Sequence, residues 1–373
     1  MQNASYDIII GGGGAAGRIL LFFLSNYRTF SSKKILFIEE ENKLAEKTWC
    51  LWEQGDHPFQ HLISTKWNSL IFEAEGFQTN QPIFPYTYSC IRGEDFDTFF
   101  NETFFPQWEN ITYTKGSVQR SLFENDQWLI QTNTSTFFCD EYISNLPAEK
   151  NSSYLQQQFY GEYISFPNQT FDLRAATLMD FSEGCQDKFQ FFYVLPIDEH
   201  TALVECTYYH DQLISKDIFK SQLDTYITKR FGIDYQIKAE EYGVIPLLEK
   251  TQGNRTQQKV PIMIGQSAGM IKPSTGYAFQ RMVEDAQLLA GWIEGKMSRR
   301  TRPRRFHMYD RLLLSIIRED APMATYIFKK LFSKKKISDI LLFLDENTTF
   351  VQELALFLHL PWWPFLKRIK NLT

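Results

Sequence analysis

A chain of 373 residues is too long for one compact core and suits two lobes, interleaved or sequential. With 43% hydrophobic and 22% charged residues and no repeat or low-complexity tract, it is neither disordered nor fibrous, and no apolar run is long enough for a simple membrane-spanning helix. The net charge of −5 hides an asymmetry: residues 296–373 carry +9 and the remainder −14, so the tail calls for an anionic partner.

The first element is a strand over Tyr6–Ile10, apolar enough to be buried between parallel neighbours. It runs into GGGGAAG, which contains G-x-G-x-x-G at Gly12, Gly14 and Gly17, and then a helix over Arg18–Leu24. The first glycine permits a tight turn, the second lets backbone approach a pyrophosphate, and the third lets helix pack on strand. A helix N-terminus then faces the phosphates. A second strand, Lys34–Ile38, ends in three acids, of which Glu39 is placed to bind a ribose hydroxyl. This is a dinucleotide site, and the fingerprint leaves NAD or FAD open.

Mid-chain, the apolar runs Phe191–Leu195 and Ala202–Val204 flank Pro196–His200 and predict a β-hairpin. Glu205 lies inside the second strand. Spacing alone favours an outward-facing carboxylate. A Glu in an apolar cleft would instead keep its proton to unusually high pH. Five cysteines, Cys50, Cys90, Cys139, Cys185 and Cys206, are scattered without a Cys-x-x-Cys, so reduced thiols in a cytosolic protein are expected and no metal site.

Residues 260–290 predict a strand, a Gly/Ser/Thr-rich loop and a helix. This segment resembles the distal FAD motif of glutathione-reductase-type flavoproteins through Gly265, Ala268, Pro273, Gly276, Asp285 and Ala286. Gln266 stands where that motif has an Asp that holds the ribityl chain. Arg92, with Phe96 and Asp97, resembles an Arg-containing segment near the flavin in the same enzymes. With no second glycine fingerprint, no separate NADPH domain is expected, and the cofactor is FAD. In the tail, basic clusters (Arg299 to Arg305, Lys329-Lys330, Lys334 to Lys336) alternate with apolar helical runs, and LALFLHLPWWPFLKRIK sets two Trp beside a basic end. That composition suits monotopic attachment to a lipid surface, the plain alternative being a helical lid with a solvated face. No nucleic-acid motif is present.

Several stretches together resemble the flavoprotein lycopene cyclases, the lycopene β-cyclase family, in its flavobacterial form. They are Lys47-Thr48-Trp49-Cys50-Leu51-Trp52, Ala176 to Phe181, FFYVLP, LVECT at 203–207, Tyr242 to Pro246, Pro273 to Tyr277 and three C-terminal segments, all in family order. The resemblance implies a glutathione-reductase-like α/β fold. Its FAD-binding Rossmann domain would comprise 1–69 and 256–295, with 100–147 contributing. A mixed-sheet substrate lobe would fill most of 70–255, and a helical, membrane-contacting end 296–373. It implies a redox-neutral cyclisation of the ends of lycopene to β-ionone rings, with reduced FAD, NADPH as ultimate reductant, a flavin-reducing system as partner, and a place on the cytoplasmic side of the membrane. Glu205 becomes the proton handler, Asp180 in the neighbouring strand a second carboxylate, and Trp49, Trp52, Tyr193 and Tyr277 the aromatic lining. Cys206 stands where other members carry a second acid. A related isoprenoid reductase or monooxygenase, or a carotenoid- or lipid-binding flavoprotein without catalysis, remain the alternatives.

Overall fold

Strand Ser5–Gly11 carries Ile8, Ile9 and Ile10 with almost no exposure, as a central parallel strand must. The computed structural model describes residues 4–40, 44–146, 155–183, 187–247, 259–297 and 302–369. In it the first sheet runs Ile111–Lys115, Ile35–Glu39, Ser5–Gly11, Thr136–Ser144 in parallel, then continues antiparallel through Gln127–Thr132 and Val118–Glu124. The short strand Ile262–Met263 joins Thr136–Ser144 in parallel. Helices Ala15–Leu24 and Phe279–Ile293 pack together on one face of this sheet. Gly17 permits that packing, because a Cβ there would lie 2.9 Å from the Phe37 ring.

The second sheet is ordered Gln236–Pro246, Gln156–Ser165, Thr201–His210, Phe189–Pro196, Ala175–Asp180, Ser69–Ala74, Phe77–Pro82. All neighbours are antiparallel except Ala175–Asp180 and Ser69–Ala74. The expected hairpin is present, and its turn is closed by the Asp198 carboxylate, which accepts from the backbone N–H of His200 (2.7 Å) and Thr201 (2.8 Å). Strand alternation divides the sheet's two faces. Val204, Cys206 and Tyr208 pack against helix Lys216–Phe231, while Leu203 and Tyr209 face the opposite way. Strands Thr48–Glu53, Thr87–Arg92 and Ile63–Trp67 form a small third sheet.

Helices Arg304–Glu319, Ala321–Lys334, Ile337–Leu344, Phe350–Phe357 and Trp362–Ile369 cover the Leu203 face of the second sheet. Among the described residues no helix is long and apolar enough to cross a membrane. Part of the first basic cluster of the tail, residues 299–301, lies outside the described residues.

Candidate functional site

The first strand leads into Gly12 (φ +75°) and Gly14 (φ +90°), left-handed positions that favour glycine. Helix Ala15–Leu24 starts there without a side-chain cap, so its first N–H groups open toward a cavity of about 390 Å³ lined by Gly12, Gly14, Glu39, Lys47 and Asn145. Glu39 reaches the cavity as the sequence suggests, but it also ties the turn together. Its carboxylate accepts from the Gly14 N–H (3.0 Å), the Tyr113 hydroxyl (2.8 Å) and the fully buried Arg18 guanidinium (2.7 Å). Burial pushes its pKa up, and the bonds from Arg18, Tyr113 and Gly14 outweigh burial and hold it below the usual value.

Lys47 and Asn145 also line a second cavity of about 380 Å³, which makes the two spaces neighbours along one path. Asn145 Oδ1 is buried there without a partner. Gly265 (φ +57°) packs against Asn145 and Ala16, and Gly276 (φ +75°) against the Gln157 side chain; neither has room for a Cβ. Gln266 and Trp49 line the same cavity. Arg92 does not. It ends its strand opposite Thr48, with its side chain 49% exposed and paired with Glu94 at 3.1 Å. Its charge is spent at the surface, so placing it beside a flavin is corrected.

A row of four residues crosses the second sheet beneath this cavity. Glu241 pairs with Gly161, Gly161 with Glu205, and Glu205 with Tyr193. Glu205 faces the cavity rather than bulk solvent, and its carboxyl group is within hydrogen-bonding reach of that of Glu241. The Thr207 hydroxyl donates to Glu205 Oε1 at 2.6 Å, and the Thr48 hydroxyl to Glu241 Oε2 at 2.6 Å. Burial drives the Glu205 carboxyl well above its ordinary pKa, and the neighbouring Glu241 adds to the rise. Burial also raises Glu241, opposed by Thr48, Glu205 and Lys47.

The expectation that Asp180 is a second carboxylate of the site is corrected here. Asp180 faces the helix side of the sheet, accepting from the Tyr226 hydroxyl (2.8 Å) and pairing with Arg230 (3.1 Å). A register shift between Thr177 and Asp180 accompanies that placement. Cys206 also faces the helix side, where Gln190 donates to its Sγ at 3.3 Å. A residue at 206 therefore does not enter the cavity. Glu241 supplies the second carboxyl, and sequence reasoning missed it. The recognised stretch starts at Tyr242, and Glu240-Glu241 looks like a solvated doublet.

Tyr193, Thr275 and Tyr277 separate this cavity from an apolar chamber of about 340 Å³ between the second sheet and the C-terminal helices. Trp52, Phe191, Leu313, Phe328 and Phe365 are among its lining. Trp52 stands edge-on to Tyr277 at 4.6 Å, and the Tyr277 and Tyr88 hydroxyls bond at 2.7 Å. Behind the lining, Trp52 Nε1 donates to Asp345 Oδ1 at 2.6 Å, and burial pushes the Asp345 carboxyl up to about 7. Glu346, after helix Ile337–Leu344, pairs with Lys272 of the 272–277 loop (2.8 Å), with Arg281 of helix Phe279–Ile293 (2.9 Å) and with Arg302.

The family model described as "Lycopene cyclase protein" matches residues 7–370. No curated protein matches the chain in sequence. Among solved structures, it is similar to a geranylgeranyl bacteriochlorophyll reductase-like protein from Thermoplasma acidophilum: TM-score 0.64, 14% identity, covering 99% of this chain and 100% of that one. It is also similar to the halogenase PltM in complex with phloroglucinol and FAD, at TM-score 0.55 and 11% identity over 92% and 83%. A third is the p-nitrophenol 4-monooxygenase of Pseudomonas putida, at TM-score 0.54 and 10% identity over 89% and 90%. These likenesses establish the fold, an α/β architecture of the FAD-binding Rossmann type with mixed sheets.

Proposed function

The chain belongs to the lycopene cyclase family, and from that premise we propose that it closes the linear ends of lycopene into β-ionone rings, using FAD without net oxidation or reduction. The observation that carries the proposal is the Glu205–Glu241 pair, set where a cofactor-type cavity meets an apolar chamber. The residues suit FAD. An uncapped helix start, glycines at positive φ, two cavities sharing Lys47 and Asn145, and the unpartnered Asn145 Oδ1 form an extended polar cradle. When bound and reduced, FAD would supply negative charge near a developing cation.

The remaining chemistry falls to side chains. Glu205 gives its proton to the terminal double bond of the polyene, leaving a tertiary carbocation. The next suitably placed double bond attacks that carbon and closes the ring. A ring carbon then loses a proton to the Glu205 carboxylate, so protons and electrons balance. A carboxyl with a raised pKa keeps its proton to higher pH than an ordinary glutamate but is a weak acid, so the cation itself must be stabilised. The faces of Tyr193, Tyr277, Trp49 and Trp52 offer that through their π-electrons. The apolar chamber excludes water, which would otherwise trap the cation as an alcohol.

The substrate's solvent suits the tail. Trp362 and Trp363 are 68% and 66% exposed beside the basic Lys367, and Trp362 also lines the chamber. A lipid surface on the cytoplasmic side would then supply lycopene directly to the chamber. A flavin-reducing system, with NADPH as its ultimate source, would keep FAD reduced.

Expression in a lycopene-accumulating bacterium, with pigments separated by chromatography, tests the proposal. Ring-closed carotenoid is expected. Unchanged lycopene beside folded, FAD-bound protein overturns it, and NADPH consumed mole for mole with a hydrogenated product would make the enzyme an isoprenoid reductase.

A further inference from the structure

Side chains on the same face of a sheet but two strands apart are about 10 Å apart at their bases, too far for most pairs to meet. Glu205 and Glu241 are two strands apart, on Thr201–His210 and Gln236–Pro246, and the intervening strand presents Gly161 to both. A Cβ at Gly161 would come within 2.9 Å of Leu203 Cδ1, 3.2 Å of Glu241 Cγ and 3.5 Å of Glu205 Cβ. The missing side chain is the gap over which the two carboxyl groups reach each other.

Their surroundings are unequal. Glu241 receives the Thr48 hydroxyl, which is itself bonded to the Tyr163 hydroxyl at 2.7 Å. The Lys47 ammonium is nearby, bonded to the carbonyl of the next residue, Tyr242, at 3.3 Å. A hydroxyl donor and a cation both favour a charged Glu241. Glu205 has only the Thr207 hydroxyl, with Tyr193 and Leu203 beside it. Two adjacent buried carboxylates cannot both ionise near neutrality.

We infer that Glu205 and Glu241 act as one unit holding a single proton, which resides on Glu205 and is hydrogen-bonded toward a charged Glu241, making Glu241 the positioning residue that keeps the acid loaded. What the proton is used for rests on the cyclase reading; the sharing itself does not. Once Glu205 gives its proton to the polyene, both carboxyls are charged beside a cation. Their repulsion draws a proton back from the ring to Glu205, and the unit is restored with no proton gained or lost.

The other ionisable groups facing the pair do not titrate in its place. The Cys50 thiol is pushed up by its hydrogen bond with Cys90 and by burial. Burial also pushes up the Tyr88 and Tyr277 phenols over the cavity, and those of Tyr163, Tyr193 and Tyr209 on the sheet. Lys47 is the cation on the Glu241 side, and Asp345 is screened behind Trp52.

Infrared titration of the purified protein, read as wild-type-minus-variant difference spectra of the protonated carboxyl band, tests the sharing without substrate. The wild type should keep one protonated carboxyl above neutral pH that Glu205→Gln removes. In Glu241→Gln that band should persist but disappear at lower pH, while Glu241→Asp, which keeps the charge, should leave it close to wild type. With lycopene in phosphatidylcholine vesicles, the alkaline limb of the rate profile should shift the same way in Glu241→Gln. The expected loss is about tenfold above neutrality, recovering in acid. A band that titrates at the same pH in wild type and Glu241→Gln overturns the inference, and so does one that survives in Glu205→Gln. Should Glu241→Gln not fold, the survival test in Glu205→Gln still decides. A band that behaves as expected in a protein that never cyclises lycopene would instead sink the cyclase reading alone.

Discussion

The cavity that holds Glu205 and Glu241 takes its floor from strands paired in register, whereas the apolar chamber beside it takes its roof from short helices held by side-chain packing. In the sheet, one residue decides what can meet. Gly161 permits a carboxyl pair, and moving Glu205 one position along would send it to the helix side, as with Cys206. In the roof, many apolar side chains share one task, and size matters more than identity. Single polar substitutions should therefore act sharply in the floor, and only bulky ones in the roof.

The largest effect is expected at Glu205. Glu205→Gln keeps the shape and the Thr207 bond but removes the transferable proton, so cyclisation should fall on the order of 10²- to 10⁴-fold with the FAD absorption spectrum retained. Near-normal product would remove Glu205 from the mechanism. A smaller effect should follow from blocking the roof. Leu313→Trp adds bulk to the chamber wall far more than it changes polarity, and should lower turnover about tenfold while leaving FAD binding intact. If that variant cyclises normally, the chamber is not the substrate's path and the contrast between floor and roof fails.

What the sequence made legible follows the same division. The glycine turn at 12–17, the strand before it and the hairpin around Asp198 depend on local chemistry, and each stands where its residues place it. Glu205 was legible only through the LVECT resemblance; spacing alone favoured an outward-facing carboxylate, whereas the structure sets it on the Leu203 face, lining the cavity. Glu241 was not, because its meaning depends on a strand 80 residues earlier having glycine opposite it. Asp180 misled for a related reason. A register shift just before it accompanies a side chain turned toward Tyr226 and Arg230, and no local pattern announces a shift. The contact of Glu346 with Lys272, Arg281 and Arg302 spans 44 to 74 residues of chain and has no local signature.

The smallest effect expected is on stability, and it ties the acid of the floor to pH. Burial raises the Glu205 pKa in the folded chain, so the folded state holds this proton at pH values where the unfolded state has released it. The stability that Glu205 contributes is thus full below the ordinary glutamate pKa and declines as pH rises toward its folded value. Gln cannot ionise, so Glu205→Gln escapes the decline. The two proteins should melt together near pH 4, and at pH 8 the variant should melt higher by several degrees, because each pKa unit of upward shift costs the wild type about 1.4 kcal/mol there and about 1 kcal/mol moves the melting point of a chain of this size by roughly 1 °C. Thermal melts followed by circular dichroism across that range measure it. Equal melting temperatures at pH 8 would mean that Glu205 ionises in the folded chain as freely as in the unfolded one. The floor would then hold an ordinary carboxylate, no better loaded with a proton than the glutamates at the surface.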